Sequence, residues 1–194
     1  SILAVIIGIM NGMLIAMCNL SRKKILRFFG SVYTDVIRGT PSVTQLMIIY
    51  FVIFASVQLD KWIIAAIAFG INSGAYVSEI IRAGILSIDK GQTEAGRSLG
   101  LSAFQTMSRI VIPQAVKNIF PALCNEFIVL IKETAIVGYV GLMDIQKAGD
   151  FIKSATFIAF MPLIGTAVIY YVLIKILTLL LGRIEARLRK ADAR

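Results

Sequence analysis

DKGQTEAGRSLGLSAFQTMSRIVIP, residues Asp89–Pro113, is a polar interruption between two long apolar runs. Asp89 is a residue type that caps helix N-termini, and Gln92 follows three positions later, so a helix is predicted to begin there. Gly100 suits the left-handed position that ends such a helix. Ser102 with Gln105 has capping-box spacing and opens a second helix, running through about Ile112. The loop Ser87–Pro113 therefore reads as two short helices joined at Leu99-Gly100-Leu101. Their apolar residues Ala95, Leu99, Leu101, Phe104 and Met107 need cover, either from the chain's own helices or from a partner.

Outward from this loop the chain is apolar enough for a bilayer. Of its 194 residues 58% are hydrophobic, above the roughly 45–50% of soluble domains, and the mean hydropathy is +0.84. Segments at Ile2–Leu20, Pro41–Leu59, Trp62–Gly84, Pro113–Val140 and Phe157–Leu181 each approach the ~20 residues needed to cross a ~30 Å hydrocarbon core. The expected fold is an all-α integral membrane protein of five transmembrane helices, one domain over residues 1–194. The basic residues fall on one side of that arrangement: Arg22, Lys23, Lys24 and Arg27, then Lys90, Arg97 and Arg109, then Arg183, Arg187, Arg189, Lys190 and Arg194. The other side carries Asp60 with Lys61 and the mixed set Asp144, Lys147, Asp150 and Lys153. The positive-inside rule puts the N-terminus outside and the C-terminus in the cytoplasm. The sequence passes from Ser1 straight into an apolar run with no signal-peptide pattern, and a few residues are expected to precede it.

Composition also narrows the chemistry. The net charge is +9, but the cations sit between apolar segments rather than among polar aromatic stretches, so a membrane explains them better than nucleic acid does. With no histidine, the commonest metal ligand and general base is missing. Cys18 and Cys124 lie inside apolar runs without metal-type spacing, so neither a disulfide nor a metal site is expected. No Gly-Lys-Ser/Thr sequence is present to cradle nucleotide phosphates.

Two further patterns concern the membrane. Ile25, Phe28, Phe29, Val32, Tyr33 and Val36 recur at helical spacing opposite Lys24, Arg27, Ser31 and Asp35, as in a helix lying along the inner surface. Arg38-Gly39-Thr40-Pro41 then breaks it. Within the first span, Gly8, Gly12 and Ala16 form a small-residue row suited to close helix packing, and Asn11 is expected to pack there as well.

The spans also hold polar residues. Asn72, Tyr76 and Glu79 fall on one face of the third, while Asn118, Asn125 and Lys132 repeat every seven residues in the fourth, with Glu126 and Glu133 on the adjoining stripe. Pro121 is expected to bend that helix. A charge at mid-bilayer costs at least ~2.5–3.5 kcal/mol, so these faces are expected to line the protein interior or a water-filled path. Glu126, Asn125 and Glu79 either contact a passing zwitterionic or cationic solute or hold the bundle together. Pairing is the simpler reading for Arg82, with Glu79 three residues before it, and for Lys132 and Glu133, whereas Glu126 has no cation at three or four residues on either side.

Glu94-Ala95-Gly96, then Gly100, then Ile110-Val111-Ile112-Pro113 resembles the cytoplasmic signature of ABC importer permeases: Glu-Ala-Ala, three residues, Gly, nine residues, Ile, any residue, Leu, Pro. Gly96 stands for the second alanine and Ile112 for the leucine. Arg38-Gly39-Thr40-Pro41 with Gln45, Ile71-Asn72-Ser73-Gly74-Ala75-Tyr76, Glu79 with Arg82-Ala83-Gly84, Gly91-Gln92, and Asn125-Glu126 with Lys132 resemble the polar amino-acid subgroup (histidine, arginine, glutamine). The resemblance covers essentially the whole chain. It implies a permease, not an enzyme, in a bacterial inner membrane. The implied partners are a dimer of ATP-binding subunits that use ATP and Mg, a second permease subunit (identical or paralogous), an extracytoplasmic solute-binding protein, an amino-acid substrate and lipid. Glu94, Ala95, Gly96, Gly100 and Leu101 would belong to the ATPase-coupling element, and Glu126, Asn125, Glu79, Asn72 and Tyr76 are candidates for the substrate path. No cofactor is expected on this chain. The competing classes are a stand-alone channel or ion-coupled transporter, which leaves the bent loop unexplained, and a scaffold protein, which leaves the polar faces unexplained.

Overall fold

A computed structural model describes residues 1–192, with side chains through Ala186; Arg187, Arg189, Lys190 and Arg194 of the basic C-terminus lie outside the described side chains. The described residues are helical, without strands: α1 Ile2–Leu20, α2 Lys24–Arg38, α3 Ser42–Ile48 continued by a π turn at Ile49–Ile53, α4 Lys61–Leu86, α5 Lys90–Ser98, α6 Ala103–Thr106, a π turn at Met107–Val111, α7 Ile112–Glu133 continued by a 3₁₀ turn at Thr134–Val140, α8 Ile145–Thr156 and α9 Phe160–Asp192.

The helix pair α1–α4 is the centre of the fold. Ala4, Gly8, Gly12 and Ala16 of α1 are all buried, and Gly70 and Gly74 of α4 face them. A Cβ at Gly12 would lie 3.0 Å from the Gly74 carbonyl, and one at Gly70 would lie 3.2 Å from the Ala4 carbonyl. Glycine is required here because backbone meets backbone. The contacts climb together along both helices, Gly8 on Ser73 and Gly12 on Val77, so α1 and α4 run parallel. The small-residue row behaves as expected. Asn11 does more than pack: its Nδ2 donates to the Tyr33 hydroxyl at 2.6 Å, and that hydroxyl donates to the Ile71 carbonyl at 2.5 Å, tying α1, α2 and α4 together.

Around this pair, α7 runs antiparallel to α4, with Ile119 against Gly84 and Glu126 against Ser73. Ala4, then Leu46 and Ile49, then Ile64, Ala65, Ala66, Ala68 and Phe69, and finally Leu130, Val137, Val140 and Leu142 close one apolar core from four segments.

Three of the expected spans change. The second, Pro41–Leu59, is helical only through Ile53, about 18 Å at 1.5 Å per residue and too short to cross alone. Residues 54–60 turn back instead, and Asp60 caps α4 by accepting from the Trp62 N–H at 2.8 Å; hydropathy cannot separate an apolar turn from an apolar helix. The α2 and α3 segments meet at 106°, the geometry of a broken span or of a re-entrant loop. The fourth span is helical from Ile112 to Glu133, but it is not among the helices long and apolar enough to count as a crossing. The fifth begins at Phe160, because α8 runs up to Phe157, whose φ of 55° breaks the chain direction. By length and apolarity, α1, α4 and α9 can each cross a membrane, three crossings, or four if the bent pair counts as one.

Leucine at Gly12 should separate α1 from α4, since the Gly74 carbonyl cannot retreat. We expect a loss of about 1–3 kcal/mol, read as a lower melting temperature of the detergent-solubilised protein. Gly165→Leu, where nothing lies within 4 Å of the added Cβ, should leave that temperature unchanged.

Candidate coupling loop and intramembrane polar sites

Local chemistry builds the Ser87–Pro113 loop almost entirely. Asp89 Oδ1 accepts from the Gly91 N–H at 2.6 Å to cap α5. Gln92 does not complete a capping box; its Oε1 accepts from Gln114 Nε2 at 3.4 Å. At the other end Gly100 has φ +82°, and Leu101 N–H bonds to the Gly96 carbonyl at 3.1 Å, the six-to-one closure of a left-handed helix end. Arg97 Nη1 donates to the Leu101 carbonyl at 2.7 Å and secures the bend. The second capping box is complete: Gln105 N–H bonds to Ser102 Oγ at 3.2 Å and Ser102 N–H to Gln105 Oε1 at 2.8 Å.

The helix opened by Ser102 does not stop at Ile112. It passes through the π turn at Met107–Val111 and continues as α7 past Pro113. Proline has no N–H and its ring crowds the carbonyl four residues back; widening the preceding turn absorbs both effects. The loop and the fourth span are therefore one continuous rod.

Gly96 is buried, where a Cβ would lie 2.8 Å from Ile110 Cδ1 and 2.9 Å from Thr106 Cγ2, so it holds α5 against the rod. Glu94, Ala95 and Gly100 are exposed and Leu101 is half-buried. Leu99 and Phe104, each 82% exposed, form the apolar tip. The chain's own helices leave them uncovered.

The five intramembrane candidates separate into two groups. Asn72, Tyr76 and Glu79 face the α2–α3 corner. Asn72 Nδ2 donates to Gln45 Oε1 at 2.9 Å, and Gln45 Nε2 donates to the Ile37 carbonyl at 2.7 Å and to Thr40 Oγ1 at 2.7 Å, clamping the bend. The Arg38 guanidinium lies 5.5 Å from the centre of the Tyr76 ring and 3.9 Å from Glu79. Glu79 is held by Arg82 through Nε at 3.0 Å and Nη2 at 2.8 Å, the pairing expected from their spacing.

On the α7 side, Glu126 is half-buried and accepts from Ser73 Oγ at 2.8 Å. Sequence reading singled out Glu126 but not Ser73; its only signal was a small hydroxyl beside Gly74 on a packed face. Asn125 is exposed, as are Asn118 and Lys132 one heptad to either side, and Asn118 Nδ2 donates to Ser87 Oγ at 2.9 Å. The stripe that repeats every seven residues thus lies on the outside of this chain.

The chain is thus all-helical and apolar, with a capped, bent loop and a polar stripe on the outside of α7. The chain belongs to the family of binding-protein-dependent transport system inner membrane components, whose model matches residues 8–190. It is 44% identical over 190 residues to a Rickettsia bellii protein named provisionally as a glutamine transport system permease, covering 97% of this chain and 87% of that one. It is 43% identical over 193 residues to the arginine transport system permease protein of Bacillus subtilis, covering 98% and 88%. Among solved structures, an amino acid ABC transporter crystallised with histidines matches with a TM-score of 0.87 at 44% identity, over 96% of this chain and 87% of that one. The chain is accordingly a permease subunit, a pore component and not an enzyme, and ATP hydrolysis belongs to a separate subunit.

Replacing Ser73 with alanine removes the hydrogen bond to a half-buried carboxylate. We expect a loss of about 1–3 kcal/mol in stability, whereas Asn125→Ala, on the exposed stripe, should stay within about 0.5 kcal/mol. Thermal unfolding in detergent measures both.

Proposed function

We propose that residues 1–194 form one permease domain with five crossings, N-terminus outside and C-terminus in the cytoplasm of a bacterial inner membrane, carrying polar or basic amino acids. The parallel run of α1 and α4 supports the number of crossings, since two crossings of the same direction need one return between them, which the bent α2–α3 pair can supply. Antiparallel α7 then returns the chain and α9 crosses last, leaving Ser87–Pro113 on the side with the basic residues.

The observation that carries the coupling role is the pair Leu99 and Phe104, exposed at the tip of a loop that local hydrogen bonds make rigid. In our reading an ATPase subunit covers them, contacting Glu94, Ala95, Gly100 and Leu101, with Gly96 setting the seat of α5. A dimer of such subunits would use ATP and Mg, two permease subunits (identical or paralogous) would face each other, and an extracytoplasmic solute-binding protein would deliver the amino acid. The exposed stripe Asn118, Asn125 and Lys132 favours a second permease, because lipid against Lys132 would cost ~2.5–3.5 kcal/mol or more at depth. Named relatives transport glutamine and arginine, which supports an amino acid as solute.

We assign the path to Glu126 and Asn125, with Asn72, Tyr76 and Glu79 acting by setting the corner that backs it. A stand-alone channel or ion-coupled transporter would leave Leu99 and Phe104 without cover and is not favoured.

Two outcomes are expected. Aspartate at both Leu99 and Phe104 should weaken ATPase association tenfold or more, as loss of an apolar anchor does; unchanged co-purification would remove the loop from the contact. In proteoliposomes holding the whole complex, Glu126→Gln should cut ATP-driven uptake of cationic amino acids while the complex stays assembled. Undiminished uptake of every solute tried would sink the path assignment.

A further inference from the structure

The α2 helix has two unlike faces. Ile25, Phe28, Phe29, Val32 and Val36 are exposed along one, and in a membrane protein such a stripe meets hydrocarbon. Arg27, Ser31, Thr34, Asp35 and Arg38 lie along the other and line a cavity of about 280 Å³ together with Asn19 of α1 and Glu79 and Arg82 of α4. A helix with its apolar stripe in hydrocarbon holds its polar stripe at headgroup depth.

The charges in this cavity do not cancel. Three guanidinium groups meet two carboxylates, and Arg82 already satisfies Glu79 through Nε and Nη2. Arg38 forms a long ion pair with Glu79 at 3.9 Å and stacks on the Tyr76 ring, contacts that leave its N–H groups without a hydrogen-bond acceptor among the described residues. Arg27 makes no ion pair or side-chain hydrogen bond among the described residues. Two guanidinium groups and the Ser31 hydroxyl thus remain as donors at one headgroup-level cavity, with Asp35 as the one carboxylate not engaged by Arg82. Arginine suits phosphate oxygens because its planar fork donates in pairs. Basic pockets between helices at this depth suit lipid phosphates.

We propose that this cavity seats the headgroup of a membrane phospholipid, its phosphodiester held by Arg27, Arg38 and Ser31 and its amine, as in phosphatidylethanolamine, facing Asp35. A bare phosphate would be repelled by Asp35, whereas an ammonium on the same headgroup turns that repulsion into attraction. Bound there, the lipid would brace α2 against α4 beside the corner.

The test uses the permease purified with its ATPase, stripped of lipid, then incubated with equal amounts of phosphatidylethanolamine, phosphatidylglycerol and phosphatidylcholine. Lipid retained per permease chain is read by mass spectrometry. The wild type should enrich phosphatidylethanolamine. Arg27→Gln, which breaks no existing bond, should lower its retention about tenfold or more, and Asp35→Asn should shift preference toward phosphatidylglycerol. Arg109→Gln, removing an equal charge outside the cavity, should change neither. Retention unaltered by Arg27→Gln would mean ordinary annular lipid and overturn the proposal. Displacement of the lipid by inorganic phosphate, or by free arginine at equal concentration, would overturn it in favour of a soluble-anion or solute site.

Discussion

The approach of α1 to α4 through glycine governs the rest of this molecule. In hydrocarbon there is no gain from hiding apolar side chains, because lipid tails are as apolar as leucine. Helices associate where their backbones come close enough for dense van der Waals contact, and Gly12 on Gly74 and Gly70 on Ala4 provide that closeness. The pairing also sets direction. Two parallel helices in contact demand that the connecting segment return through or along the membrane, and the 106° corner between α2 and α3 is how this chain does so in few residues.

That corner is expensive in free backbone groups, and polar side chains settle the account. Gln45 bonds the carbonyl of Ile37 and the hydroxyl of Thr40, and is itself held by Asn72. Arg38, Tyr76, Glu79 and Arg82 close the outer side of the same bend. Adjacent residues on α4 therefore serve different ends: Asn72 turns to the corner, while Ser73, about 100° further round the helix, turns to Glu126 on α7. A single turn of α4 thus serves the corner on one side and α7 on the other.

The loop from Asp89 to Pro113 obeys shorter-range rules. Its caps, its left-handed glycine and the seat of Gly96 on Thr106 and Ile110 all involve residues within about fifteen positions of one another. The helix that starts at Ser102 runs into α7 through a widened turn at Met107–Val111, so the tip at Phe104 and the intramembrane part of α7 belong to one helical element. The same rod carries Glu126 and Asn125.

The loop was legible from the sequence at the level of its caps and its glycine, and so was the small-residue row of α1, since these depend on residue type at fixed local spacing. The Glu79–Arg82 pairing was legible for the same reason. Sequence alone also carried the family, through the spacing from Glu94 to Pro113, and the excess of apolar residues that places the chain in a membrane. What it could not decide were matters of long-range contact and backbone direction. Hydropathy counted Phe54–Leu59 into a helix that ends at Ile53, and it did not foresee that α6 would pass through Pro113 without a break. Asn125 and Glu126, neighbours in the chain, came out on the exposed and half-buried sides of α7. Only tertiary structure set Ser73 against Glu126, 53 residues away, because a hydrogen-bond partner across two helices depends on how they roll against each other and not on any local spacing.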